Sequence, residues 1–277
     1  MGKKTGIIFD IKEFALNDGE GIRTTVFFKG CPLRCIWCHN PEGLSASPEL
    51  YVKKSGCLNC GLCRKGCSHD ECRPYGRCLH ICPCDLIAVA GKVWNSDALA
   101  DKLLSQAGVL KALGGGVTLS GGEPLMQHEF AYEILTALKG KVHRSIETSG
   151  FASSEIFKKI ASECDFVIMD IKIADDAMHK SYTGVTNKQI IENALWLKDS
   201  GIPHLFRTPL IPGITDTEKN LRAISSIVGD DKIELLPYNH LAGAKYESVG
   251  KVFPKSINEA IANTVDISIF KNATLRK

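Results

Sequence analysis

Eleven of the twelve cysteines are crowded between Cys31 and Cys84, and only Cys164 stands apart. In a short secreted chain such density would mean a disulfide scaffold, but 277 residues are enough for a large hydrophobic core. The opening stretch, Met1 to Asp10, holds no apolar run of signal-peptide length, and no later run is long enough to span a bilayer. The expected location is therefore cytoplasmic, and in that reducing compartment crowded cysteines mean metal. Cys164, just before the apolar run Phe166-Val-Ile-Met169, reads as a small core residue.

The first group, Cys31-x3-Cys35-x2-Cys38, follows the apolar, strand-like run 22–29. A structural zinc site takes four protein ligands, and a cubane [4Fe–4S] cluster normally takes four cysteines. Three thiolates on a cubane would leave one iron open to a small molecule. An incomplete zinc knuckle or three buried structural cysteines are the plain alternatives on these residues alone.

From Pro41 to about Val93 apolar periodicity disappears, which marks a functional insert or a small module, bounded here as 51–93 within a main domain of 1–50 and 94–277. Cys57-x2-Cys60-x2-Cys63-x3-Cys67 has the spacing of bacterial ferredoxins, with Ser68 in place of the usual following proline. Cys78-x3-Cys82-Pro83 is the tail of a second such motif. Its expected head is missing, because Tyr75 stands where a cysteine would follow Cys72, and Cys84 is the candidate substitute. In two-cluster ferredoxins the fourth cysteine of each motif crosses to the other cluster, which would exchange Cys67 and Cys82. Two auxiliary [4Fe–4S] clusters, one cluster, or zinc all remain compatible with this spacing.

After Val93 the chain becomes regular. A helix is expected from Asn95 to about Leu113, with Ser96 or Asp97 as N-cap, and further helices near 128–139, 153–163, 187–199 and 216–228. Apolar runs near 117–119, 145–146, 166–171, 204–210 and 233–236 separate them; with 22–29 they make six strands. Alternation of this kind predicts an α/β fold with a parallel sheet and right-handed crossovers. Eight units close a barrel of ~250 residues, so six units plus an insert leave room for a partial barrel. An open flavodoxin-like sheet is the alternative. Working residues of barrels sit where strands end, and each end here is polar or charged: Gly121-Gly122-Glu123, Glu147-Thr148, Asp170-x-Lys172, Arg207, and Asn239-His240. Residues 170 and 172 share one strand face. The remaining histidines, His69 and His80 included, show no ligand spacing and read as solvent or packing residues.

With Trp37 before its last cysteine, the Cys31–Cys38 group resembles the radical S-adenosylmethionine (SAM) superfamily. The longer pattern Asp18-Gly19-x-Gly21-Ile22-Arg23-x3-Phe27-Phe28-x-Gly30-Cys31 resembles the enzymes that activate glycyl radical enzymes, although Glu20 stands where that family usually has proline. The resemblance runs from Asp18 to about Gly250 and implies a partial (β/α)6 barrel of TIM type, with a ferredoxin-like insert after the first strand. It implies that SAM chelates the open iron of the Cys31/Cys35/Cys38 cluster. Reductive cleavage then gives a 5′-deoxyadenosyl radical that removes a Cα hydrogen from one glycine of a partner protein. By the same resemblance Gly121, Gly122 and Glu123 meet the SAM amino group, and Asp170, Lys172, Glu147 and Thr148 contact SAM. Arg207 is the expected partner of its carboxylate, with Trp37, His39, Asn40, Asn239 and His240 among the cofactor contacts. Some members add a monovalent cation near Glu147. Implied partners are a glycyl radical enzyme and a flavodoxin or ferredoxin donor.

A net charge of +3 is too mild to imply nucleic acid binding. Lys53, Lys54, Arg64 and Lys65 on the insert read as a solvated face or a meeting point for an acidic donor. Two rival functions differ in their requirements. A radical SAM enzyme acting on a small molecule would not need the whole Asp18–Cys31 pattern, and an electron carrier would need no SAM motifs.

Overall fold

The computed structural model describes residues 4–254 and 257–276. Residues 1–3, which fall in the opening stretch considered above, and residues 255–256 and 277 of the expected main domain lie outside the described residues.

The chain opens with strands β1 (Thr5–Ala15) and β2 (Arg23–Phe28), then β3 (Glu49–Val52), β4 (Ile87–Ala90) and β5 (Lys92–Asn95). Helices α1 (Ser96–Leu104) and α2 (Ala107–Ala112) lead to β6 (Gly116–Gly121). There follow α3 (His128–Leu138), β7 (His143–Thr148), α4 (Ser154–Ala161), β8 (Phe166–Asp170), α5 (Asp176–Thr183) and α6 (Lys188–Asp199). The chain ends with β9 (His204–Leu210), α7 (Glu218–Val228), β10 (Ile233–Pro237) and β11 (Ala273–Leu275).

Nine strands form one sheet in the order β11-β10-β9-β8-β7-β6-β2-β1-β5. From β2 to β11 every pairing is parallel, and β1 and β5 extend the other edge antiparallel. The parallel strands follow one another in chain order. A flavodoxin-like sheet reverses order at a switch point, so the arrangement is that of a barrel that does not close.

Alternation along each strand sorts the two faces. Val26, Phe28, Val117, Leu119, Ile146, Val167, Met169, Phe206, Ile233 and Leu235 pack under the helices with Phe130, Ile134, Phe157, Leu197 and Ile224. Their strand neighbours Thr25, Thr118, Ser120, Glu147, Asp170, Arg207 and Glu234 share the opposite, concave face. Burial on one face therefore leaves the other for polar chemistry.

Several elements differ from the sequence expectation. β1 is hidden by two register shifts and by Phe14, whose φ is 58°; together they break the two-residue period. The expected helix 95–113 is two helices, because Gln106 is drawn to the Thr24 hydroxyl at 2.7 Å and Ser105 turns back onto the Lys102 carbonyl. Its N-cap is Asn95, which accepts from the Asp97 N–H at 3.0 Å, while the Ser96 hydroxyl donates to Glu133. Helix α5 has only His179 and Thr183 buried, so it carries no apolar period. Strand β11 is too short to be read by pattern.

The turn before β2 is bound into the concave face. The Thr25 hydroxyl donates to the Asp18 carboxylate at 2.6 Å, and Thr118 donates to the Asp18 carbonyl. Arg23, 1% exposed, donates to Thr118 and to the carbonyls of Glu20 and Val117. Burial draws its guanidinium down to about 10.

Candidate active site and metal-binding groups

Cys31, Cys35 and Cys38 lie on one loop at the C-terminal end of β2. Backbone bonds fix the loop from both sides: Cys31 N–H to the Leu44 carbonyl, Arg34 N–H to Thr183 at 2.7 Å, and Ile36 N–H to Tyr182. Trp37, 6% exposed, is the loop's anchor, packed with Ile173, Ile211 and Ile214. The three thiols are near enough to influence one another's ionisation, and the surrounding burial pushes each of them up. Cys35 reaches about 12, with the Lys172 ammonium pulling the other way. Metal binding at such thiols releases protons.

The turn Gly121-Gly122-Glu123 is bonded to the root of this loop. Gly122 N–H donates to Phe28 and Glu123 N–H to Gly30, both at 2.8 Å. Neither glycine tolerates a side chain. A Cβ on Gly121 would meet the Phe28 nitrogen at 2.3 Å, and one on Gly122 would meet the Gly30 oxygen at 2.3 Å. Glu123 itself is fully buried. Its carboxylate accepts from Leu125 N–H, the Thr148 hydroxyl, Ser149 N–H and the Ser149 hydroxyl, which leaves little capacity for a ligand. Burial raises its pKa while the Ser149 and Thr148 bonds oppose the rise.

Asp170 and Lys172 form an ion pair of 2.6 Å at the end of β8. Burial works against the Lys172 ammonium, but Asp170 and the neighbouring Cys35 and Cys31 together outweigh it and hold the group above its ordinary range. Glu147 accepts from Ser120 at 2.7 Å and from Arg207 at 2.6 Å. Arg207 is engaged on every nitrogen: with Glu147, with Glu234 at 2.7 Å and with the Asn17 carbonyl at 2.9 Å. It lines a cavity of about 930 Å³ with His143, Pro203, His204 and Arg276, at the end of the strands away from the cysteine loop. His39 is exposed, and Asn40 accepts from Lys245 at 3.4 Å. Asn239 accepts from Leu241 N–H, and His240 pairs with Glu259 on the surface. The structure therefore gathers the three cysteines, Gly121, Gly122, Asp170 and Lys172, and leaves Arg207, Asn239 and His240 bound elsewhere.

Lys29, Glu49 and Lys251 were not singled out in the sequence. Lys29 is buried and donates to the Glu42 carbonyl and to Glu49, which also accepts from Lys251 at 2.6 Å. This network ties β2 to the start of β3, where the cysteine-rich segment leaves the barrel. Nothing in a single sequence signals one glutamate shared by lysines from two distant segments.

In that segment the cysteines fall into two groups. Cys57, Cys60, Cys63, Cys82 and Cys84 line one small cavity with Leu58, Leu62 and Ile87. Cys67, Cys72 and Cys78 instead gather with His69, and one donor atom of each lies within 4.8 Å of the others. His69, read from the sequence as a solvent or packing residue, thus stands among three cysteines that could share an ion with it. Its signal was the spacing Cys67-x-His69, which carries little weight without the fold. Cys164 is buried, as its surroundings predicted.

The radical SAM superfamily model matches residues 25–223, which places the barrel and its cysteine loop in that class of enzyme. The chain is 35% identical to the choline trimethylamine-lyase activating enzyme of Oleidesulfovibrio alaskensis, over 95% of this chain and 93% of that protein. It is 34% identical to the 4-hydroxyphenylacetate decarboxylase activating enzyme of Clostridioides difficile, over 91% of this chain and 87% of that protein. A radical SAM methyltransferase from Sphaerobacter thermophilus shares the fold, with a TM-score of 0.53 and 14% identity over 92% of this chain and 66% of that one. The chain belongs to the radical SAM activating enzymes of glycyl radical enzymes. Among the described residues no helix is long and apolar enough to cross a membrane.

Proposed function

We propose that Cys31, Cys35 and Cys38 carry the [4Fe–4S] cluster with which this enzyme activates its partner. The observation that carries this reading is a rigid three-thiol loop seated beside Gly121-Gly122 and the Asp170–Lys172 pair. The donor set suits a cubane with one open iron. When bound, the cluster and SAM supply the electron and the 5′-deoxyadenosyl radical that takes a glycine Cα hydrogen from the partner.

The chain's own part is placement and exclusion. Trp37 fixes the loop, and the Cβ-free turn at Gly121-Gly122 admits a ligand against backbone. Asp170 and Lys172 offer a carboxylate and an ammonium for the zwitterionic end of SAM. Glu123, Thr148 and Ser149 act as positioning residues that hold the turn of β6 against β7. Arg207 positions Glu147 and already supplies there the positive charge that a monovalent cation would bring. The module expected at 51–93 is bounded by the β3–β4 pair, Lys92 and Val93 belonging to β5 of the main sheet, and its Cys57, Cys60, Cys63 and one of Cys82 or Cys84 would hold an auxiliary cluster. Such a cluster would take up electrons from a flavodoxin or ferredoxin donor.

The test is anaerobic preparation followed by reductant, SAM and an assay of 5′-deoxyadenosine. Cys35→Ala is expected to remove cleavage entirely while Cys60→Ala retains it. Iron-loaded protein that cleaves no SAM under any reductant would sink the reading and leave an electron carrier.

A further inference from the structure

Four residues of the insert are arranged for one ion. One donor atom from each of Cys67, His69, Cys72 and Cys78 lies within 4.8 Å of the others, and His69 Nδ1 stands 4.0 Å from Cys78 Sγ. A tetrahedral zinc ion with Zn–S near 2.3 Å and Zn–N near 2.0–2.1 Å places its donors roughly 3.5–3.8 Å apart. A small contraction would bring these four to that spacing. A cubane puts a different iron behind each ligand, so its donors stand further apart than donors sharing one ion.

The surroundings are built for thiolate sulfur. Cys72 and Cys78 are the buried pair, at 3% and 4% exposure. Leu79 N–H donates to Cys72 Sγ at 3.3 Å. Such a bond stabilises anionic sulfur and orients it, as outer-shell donors do at metal sites. The short 3-10 helix Asp70–Tyr75 brings the ligands together: His69 is its N-cap, Cys72 N–H donates to the His69 carbonyl, and Gly76 at φ 61° returns the chain toward Cys78. The five other insert cysteines lie around a different cavity.

We propose that Cys67, His69, Cys72 and Cys78 bind a single structural zinc ion. The irregular second motif is on this view a Cys3His site, and the insert holds one redox cluster and one redox-inert ion. Electrons entering the insert therefore have one auxiliary cluster to occupy, and the ion fixes that cluster's loop, since Cys78 N–H donates to the Cys63 carbonyl at 2.9 Å. The assignment rests on the auxiliary cluster of the preceding section only for the total iron count.

The experiment is metal analysis of the full chain, purified anaerobically from cells supplied with both iron and zinc. One zinc with about eight irons is expected, counting four irons per cubane. About twelve irons without zinc, or eight irons without zinc, would overturn the proposal. One zinc with about four irons would keep the ion and remove the auxiliary cluster instead. His69→Ala should lose zinc and keep its iron, and His69→Cys should recover the zinc. Should His69→Ala fail to fold, cobalt(II) supplied to the parent chain during growth gives a second reading. Tetrahedral d–d bands with thiolate charge transfer would support the site, and octahedral cobalt spectra would count against it.

Discussion

Around Cys31, Cys35 and Cys38 the chain is held by β2, by backbone bonds to Leu44, Tyr182 and Thr183, and by the burial of Leu33 and Trp37. Between Lys53 and Leu86 only Cys72 and Cys78 are buried, and Leu58 and Ile81 lie in the open. The two regions present the same ligand chemistry on different foundations. The first is a loop on a packed barrel, whose shape the hydrophobic core determines. The second buries almost no apolar surface, and on the proposals above its order would come from bound metal, as in other small metal-bound modules. A catalytic cluster that exchanges its fourth ligand gains from a scaffold that stands without it. An auxiliary group with a full set of protein ligands can double as the scaffold.

Metal removal should separate the regions most sharply. Chelation of iron and zinc under reducing conditions is expected to abolish amide exchange protection across residues 53–86 and leave that of β6 to β10 in place. Hydrogen exchange by mass spectrometry reads both regions in one sample, and equal loss in barrel and insert would break the contrast. A smaller effect is expected from Trp37→Ala, which removes the anchor of the Cys31 loop from a cluster of isoleucines. Large-to-small changes of this kind cost about 3–5 kcal/mol. Urea unfolding of the barrel should report that loss, and Trp37→Phe should recover most of it.

The smallest effect lies within the barrel. Asp165 is bound by Arg144 at 2.8 Å. Burial alone would raise the Asp165 carboxyl, but the Arg144 bonds prevail and hold it below the ordinary range. An aspartate with a lowered folded pKa contributes stability that is present above its unfolded pKa, near 3.9, and lost as pH falls through the folded value. With the carboxylate partly exposed, Asp165→Asn is expected to cost about 1 kcal/mol at neutral pH. Thermal melts of variant and parent should converge once the pH falls below the lowered value. A gap that persists there would assign the loss to packing instead.

The sequence was most legible where one residue type at one spacing has few uses. Cys31-x3-Cys35-x2-Cys38, Gly121-Gly122-Glu123 and Asp170-x-Lys172 could be placed at strand ends because alternation of β and α elements locates those ends without coordinates. Long-range pairing could not be read in that way. Glu123 looked available to a ligand until Thr148 and Ser149 were seen to fill its lone pairs, and Arg207 looked available until Glu147, Glu234 and Asn17 engaged it. β1 escaped because bulges break its period, and His69 escaped because one histidine beside one cysteine is common.

The sequence by itself determined the class of fold, the family to which the Cys31–Cys38 loop points and the presence of a second cysteine-rich region. Each of these follows from local chemistry: thiol spacing, hydrophobic period, and glycine where backbone must approach. The tertiary structure alone decided which carboxylates and guanidinium groups are already committed, and how the insert cysteines divide into two groups. Those outcomes depend on distances between residues up to two hundred positions apart, set by the sheet's register rather than by any neighbour along the chain.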